Sequence, residues 1–228
     1  MKMFRKFHSS GHFERDLNEA HIVLIPKISF PQTLSEYRPI SLCNSLYKLL
    51  SKVLANRLKT VLDRLISPFQ NEFVAGRQIT DNILLAHEIL HSMERGDRRS
   101  LDTILKLHIS KAYDKLEWSI VLEMLRRMGF SQRWCRWIEE CITTVLYRVI
   151  INGELSKVIT PTRGIRQGDP ISPSPFLICS EALSFLLGKG EREGQFHGFK
   201  LNHSSPSIPH LIFVDDTLLF CKANVENI

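Results

Sequence analysis

A chain of 228 residues is long enough to bury a core of its own, as one large domain or two small ones. Its 43% hydrophobic and 24% charged residues are the balance of a soluble globular protein, and the lack of any membrane-spanning apolar run argues against a membrane one. A net charge of +6 permits a polyanionic partner without demanding one.

The stretch from Met1 to His8 is charged, and no apolar core of signal-peptide type follows it, so nucleus or cytoplasm is the expected compartment, not a secreted one. Five cysteines (Cys43, Cys135, Cys141, Cys179, Cys221), with no CxxC pair, suit reduced and mostly buried thiols better than a zinc site or a disulfide framework.

The first apolar run, His21 to Ile25, stops at Pro26 and predicts a strand. In Tyr37-Arg-Pro-Ile-Ser-Leu-Cys43, Pro39 biases Arg38 to an extended backbone, which leaves its guanidinium free to reach outward. From Ser45, a helix carries Leu46, Leu50, Leu54, Leu58, Leu62 and Leu65 as its apolar stripe, widened by Leu49, Val53 and Val61. Lys48, Lys52, Asn56 and Lys59 fall opposite, either as a solvated face or as a nucleic-acid contact. After a loop holding Gly76 and Arg77, Thr80 or Asp81 can cap a second helix that runs to about Arg95 and Gly96.

Leu101 to Tyr113 has strand character around Lys106 and His108. Asp114 and Glu117 have capping-box spacing for a helix from Lys115 to Met128 that ends at Gly129. A further helix starts at Ser131, with Trp134, Ile138, Cys141, Ile142 and Val145 on one side. Asn152-Gly153 predicts a tight hairpin between Tyr147–Ile151 and Val158–Ile159. The polar loop from Arg163 to Pro170 opens onto a helix from Ser172 to about Gly188, with Pro173 and Pro175 tolerated in its first turn. A polar stretch with a short strand at Phe199 to Leu201 then leads to Leu211–Cys221.

That last stretch sets Asp215 and Asp216 between two apolar runs, the pattern of a β-hairpin with both carboxylates at or beside its turn. Two readings follow from the residues. Adjacent carboxylates repel unless water, a proton or a divalent cation sits between them, and Asp-Asp is also ordinary turn chemistry.

Four of these stretches, in this order and spacing, resemble the reverse transcriptases of LINE-type (non-LTR) retrotransposons, particularly the plant-type elements. They are Tyr37 to Cys43, Lys106 to Asp114, Arg163 to Pro170 and Phe213 to Asp216, joined by Gln70 to Arg77. The resemblance implies an α+β fold, a right-hand polymerase with fingers over residues 1–100 and part of the palm over 101–228. It further implies an antiparallel palm sheet packed on helices. It stops at Ile228, before the thumb, and no endonuclease precedes it, so a truncated domain is expected.

The implied function is RNA-directed DNA polymerase, with RNA template, DNA primer and dNTP as partners and two Mg²⁺ ions serving transfer to a primer 3′-hydroxyl. Asp215 and Asp216 map onto the metal-holding pair, and a third catalytic Asp is replaced here by His108. An imidazole offers Mg²⁺ one neutral nitrogen in place of two charged oxygens, so impaired catalysis is expected. For nucleotide binding, Tyr113 resembles the steric gate against a 2′-hydroxyl, and Gln167 and Gly168 resemble the loop beside nucleotide and template. Arg38, and less so Arg77, resemble phosphate contacts. Ser174 and Pro175 stand where the family has an aromatic or aliphatic pair. The alternative is a non-catalytic nucleic-acid-binding remnant that works through the basic face of residues 45–65.

Overall fold

The computed structural model describes residues 2–95, 102–202, 204–213 and 216–222. In chain order these form helix α1 (Lys2–Ser10), strands β1 (Glu19–Pro26) and β2 (Tyr37–Cys43), and helices α2 (Ser45–Leu65) and α3 (Ile79–Arg95). Strand β3 (Asp102–His108), a one-turn helix α4 (Ala112–Lys115), and helices α5 (Trp118–Arg127) and α6 (Gln132–Thr143) follow. Strands β4 (Leu146–Ile151) and β5 (Glu154–Leu155), helix α7 (Pro173–Arg192), and strands β6 (His210–Phe213) and β7 (Asp216–Lys222) complete the α+β fold. Gly96, Leu101 and Asp215, each assigned a place above, lie outside the described residues. Among the described residues, no helix is long and apolar enough to cross a membrane, and the five cysteines are free thiols.

Two compact units divide the chain, Met1–Leu58 with Lys111–Phe176, and Lys59–Ser110 with Leu177–Ile228, so each draws on both sides of residue 100. In the first unit the sheet order is β2-β1-β4-β5. Strand β1 runs antiparallel to β2, from Ala20 opposite Cys43 to Pro26 opposite Tyr37, and parallel to β4. Pro39 falls on the edge strand β2, where a missing N–H breaks no ladder. The Asn-Gly hairpin forms as its sequence requires, with Asn152 at φ 52° and Gly153 at φ 86°. Its return strand is shorter than the apolar pattern suggests, since only Glu154–Leu155 pair before an isolated bridge from Tyr147 to Ile159.

Helix α2 has the predicted bounds but a rotated core face. Tyr47, Leu50, Ser51, Leu54, Ala55 and Leu58 are buried, whereas Leu46, Leu49 and Val53 are exposed. The cause is polar. The hydroxyls of Tyr47 and Ser51 both donate to Asp169, at 2.6 Å for Tyr47, and this turns the 47/51/55 row inward. On α6, Ser131 caps the helix by accepting from the Trp134 amide. The core aromatic of that helix is Trp137 and not Trp134, because Phe7 of α1 stacks on Trp137 at 5.9 Å.

The strand expected to reach Tyr113 stops at His108, and Lys111 at φ 55° turns the chain into α4. Asp114 lies inside that turn, so it caps no helix from Lys115, and α5 starts afresh at Trp118. A continuous helix would need the carbonyls of Tyr113 and Leu116. These instead accept from the amides of Ile165 and Gly164, at 2.9 and 2.8 Å. Gly129, at φ 83°, follows the end of α5 as predicted.

The second unit holds a three-stranded antiparallel sheet in the order β3-β7-β6. Ala86 and Ile89 of α3 pack with Ile208, Leu211 and Phe220 to form its core. Helix α7 runs past Gly188 to Arg192 and is followed by Gly194 at φ 73°. A single helical glycine, at about 1 kcal/mol, does not stop a helix held by packing. The short strand expected at Phe199–Leu201 is one isolated bridge, Phe199 to Ile208.

Buried His210 begins β6, with Nε2 2.9 Å from the Ser184 hydroxyl. Among the described residues its Nδ1 has no hydrogen-bond partner. Burial pushes its pKa down to about 4 from 6.5, with Glu191 pulling weakly the other way. The unfolded chain therefore binds the proton more tightly, so this stabilising contribution is complete above pH 6.5 and is lost as pH falls through about 4. Urea melts from pH 7 to pH 4 should show a loss of roughly 3 kcal/mol that is absent from His210→Gln. Parallel pH profiles for the two proteins would refute this.

Candidate functional site

In the second unit, strands β3 and β7 pair in a register that sets His108 directly opposite Asp216. The His108 Nδ1 lies 2.9 Å from Asp216 Oδ1, and Lys106 Nζ lies 2.9 Å from Oδ2. Period-two alternation places Lys106 and His108 on one face of β3, so both reach the same carboxylate. The Lys106 ammonium first, and then His108, hold the Asp216 carboxyl below the ordinary carboxylate range. Lys106 was not predicted as part of the site, although its spacing from His108 was the available signal.

This arrangement bears on the divalent cation that the resemblance implies. Mg²⁺ takes oxygen ligands in octahedral geometry, preferably charged ones. Here both oxygens of Asp216 are engaged by cationic or imidazole nitrogen. Among the described residues, no cluster of three or more His, Cys, Asp or Glu side chains is placed to hold a metal. Of the three residues the resemblance assigns to this site, the described ones supply one carboxylate, Asp216, and one imidazole, His108, and Asp215 lies outside the described residues.

The first unit holds Arg38, Tyr113, Gln167 and Gly168, and one loop links Tyr113 to strand β2. Residues 163–168 bond to Tyr113 through the Ile165 amide and to β2 through the Gln167 carbonyl, which accepts from the Ser41 amide at 2.9 Å. Arg38 lies on the same strand with its side chain exposed. Half-buried Tyr113 stacks on Phe176, with ring centroids 5.1 Å apart and planes at 19°. Gly168 adopts φ 96°, and a Cβ there would sit 3.3 Å from the Ser41 carbonyl. Its positive φ favours glycine, and a Cβ would in addition press tightly on β2.

What fixes this loop is a buried ion pair that sequence reading missed. The side chains of Arg166 and Asp169 are 3% and 2% exposed, with Nε 3.3 Å from Oδ2. Arg166 also donates to the Cys141 carbonyl at 2.8 Å and to Asn18 Oδ1 at 2.5 Å, and its guanidinium lies 4.1 Å from the centre of the Tyr47 ring. Asp169 accepts from Tyr47 and Ser51, so donors saturate both of its oxygens. Burial, and then the Asp169 charge, raise the Tyr47 pKa well above that of an ordinary phenol, which keeps the hydroxyl a donor. An Arg-x-x-Asp pair in a polar loop gave only a faint signal, because partners such as Tyr47 and Asn18 lie 122 and 148 residues away.

Arg77, a lesser candidate than Arg38 for a phosphate contact, closes the end of a helix in the second unit. Its guanidinium donates to the carbonyls of Asp63, Ile66, Ser67 and Gln70 and to the Asp63 carboxylate, which satisfies groups left open at the end of α2.

With these positions fixed, comparison with known proteins decides the family. The family model described as reverse transcriptase (RNA-dependent DNA polymerase) matches residues 25–227. The chain belongs to the reverse transcriptase family. A 149 kDa protein of the TX1 transposon of Xenopus laevis is 28% identical over 95% of this chain. A Pol polyprotein of the R2 retrotransposable element of Popillia japonica is 28% identical over 92%. The chain spans 16% and 28% of the length of those two relatives. Telomerase from Candida albicans, solved with the TWJ fragment of telomeric RNA, shares the fold at TM-score 0.57 and 15% identity, covering 90% of this chain and 38% of its own. Both relatives are proteins of transposable elements, in line with the resemblance of the motifs to non-LTR retrotransposons. Frog and beetle relatives do not single out the plant-type elements.

In this chain, removing one partner of the buried Arg166–Asp169 pair strands the other charge. Arg166→Leu should cost about 3–5 kcal/mol, and the double variant Arg166→Leu/Asp169→Leu much less than the sum of the single ones. Urea unfolding of the four proteins measures this. Additive single-variant effects would rule out the coupling.

Proposed function

We propose that this chain carries the fingers (residues 1–100) and part of the palm (101–228) of an RNA-directed DNA polymerase, and that His108 has cost it most of its activity. The observation that carries the reading is the β3–β7 register, which opposes His108 to Asp216 at 2.9 Å. The resemblance of the motifs implies a catalytic carboxylate at position 108, where this chain has His108. The reaction is transfer of a nucleotide to a primer 3′-hydroxyl, with RNA template, DNA primer and dNTP as partners and Mg²⁺ supplying charge stabilisation where it is bound. Asp215 and Asp216 are the residues assigned to the metal.

The remaining roles follow the motifs. Tyr113 is the steric gate, and its stacking on Phe176 supports a fixed ring. Gln167 and Gly168 lie beside nucleotide and template, on a loop stiffened by Arg166 and Asp169. Exposed Arg38 contacts phosphate. The compartment is nucleus or cytoplasm. Lys106 favours the second reading, non-catalytic nucleic-acid binding, because it neutralises the carboxylate that catalysis needs.

His108→Asp distinguishes the two. The variant should extend a primer on an RNA template about 100-fold faster than the unaltered chain or better. It should also bind Mg²⁺ at least tenfold more tightly by calorimetry, while Mn²⁺, which accepts nitrogen ligands, discriminates less. Equal extension and equal Mg²⁺ affinity would disprove the impairment. Salt-dependent binding of RNA–DNA hybrid by both proteins, with extension by neither, would establish the non-catalytic reading.

A further inference from the structure

Helix α2 has a second face that its core leaves unused. Leu46, Leu49 and Val53, spaced by three and four residues, are 48%, 54% and 45% exposed. Large aliphatic side chains at i, i+3 and i+7 form the seam along which one helix packs on another. Isolated surface leucines are ordinary, but an aligned row on one helical stripe is a contact surface in search of a partner. Exposed Lys48 and Lys52 run along one margin of the stripe. From Ser45 to Thr60 the helix carries four basic residues and no acidic one.

From these features we infer that this face of α2 docks an amphipathic helix of another protein, one whose apolar stripe is flanked by carboxylates. Apolar burial supplies attraction along the Leu46–Leu49–Val53 row. Charge then selects the partner, since carboxylates beside that row meet Lys48 and Lys52. A second copy of this chain would bring like charges together. Single-stranded nucleic acid suits the lysines but not the row, because such sites stack bases on exposed aromatics and the phosphates take no benefit from leucine. The aromatic on this part of the helix, Tyr47, is 1% exposed. None of this depends on whether the chain transfers nucleotides.

The test uses the full chain and fluorescein-labelled probes read by anisotropy. One probe is a helical peptide with leucines at alternating three- and four-residue spacing flanked by glutamates; the second replaces those glutamates with lysines; the third is oligouridine RNA. The acidic peptide should bind and the basic one should not. Leu49→Glu/Val53→Glu should weaken the acidic peptide about tenfold or more, and Lys48→Glu/Lys52→Glu should transfer binding to the basic peptide. Both variants alter exposed side chains, and matching thermal melts establish that they fold. Equal binding of the two peptides, or acidic-peptide affinity unchanged in both variants, would overturn the inference. So would oligouridine binding that the Leu49→Glu/Val53→Glu variant abolishes, or self-association in sedimentation that this variant abolishes.

Discussion

The buried pair of Arg166 and Asp169 organises the first unit. Removing two charges from water costs several kcal/mol per ion, and attraction alone recovers this only with good geometry and further hydrogen bonds. Both conditions are met, since Asn18, Cys141, Tyr47 and Ser51 occupy the remaining donors and acceptors. Each of these partners comes from a different part of the fold: the approach to β1, helix α6, and two turns of α2. The pair therefore sets the rotation of α2, the depth of α6 and the path of residues 163–168 at once. With the loop fixed, its outer groups bond β2 and the Tyr113–Leu116 segment, and the long helix that local sequence favours there is broken.

The second unit is governed by a different electrostatic balance, at the surface. Asp216 is about one-third exposed and is met by an ammonium and an imidazole, which compensate its charge. Exposed pairs contribute little to stability. Their consequence is chemical. A divalent ion must displace Lys106 and His108 to reach these oxygens, and His108 returns fewer and weaker ligands than a carboxylate. The core of Ile89, Leu211 and Phe220 is apolar, so the second unit does not depend on the charges around Asp216 to hold together.

Helix α2 links these themes. Its interior is set by polar anchors, and the rotation they impose turns out leucines that a purely apolar reading assigns to the core. What local patterning treats as one wide stripe is two faces with separate uses.

Sequence by itself determined β1, the long helices α2, α3, α6 and α7, the Asn-Gly hairpin, the hairpin of β6 and β7, and the family, because each rests on local periodicity, turn chemistry or ordered motifs. The opposition of His108 to Asp216 was legible as soon as those motifs were aligned. Tertiary structure alone decided which face of α2 is buried, where β3 ends, and that Trp137 and not Trp134 joins the core. It also decided that Arg77 closes a helix and that Lys106 shares the acidic group. The physical reason is that each is decided by a contact whose partner the local pattern does not record. For α2 it is the hydrogen bonds to buried Asp169, which outweigh local preference because they form in a dry interior.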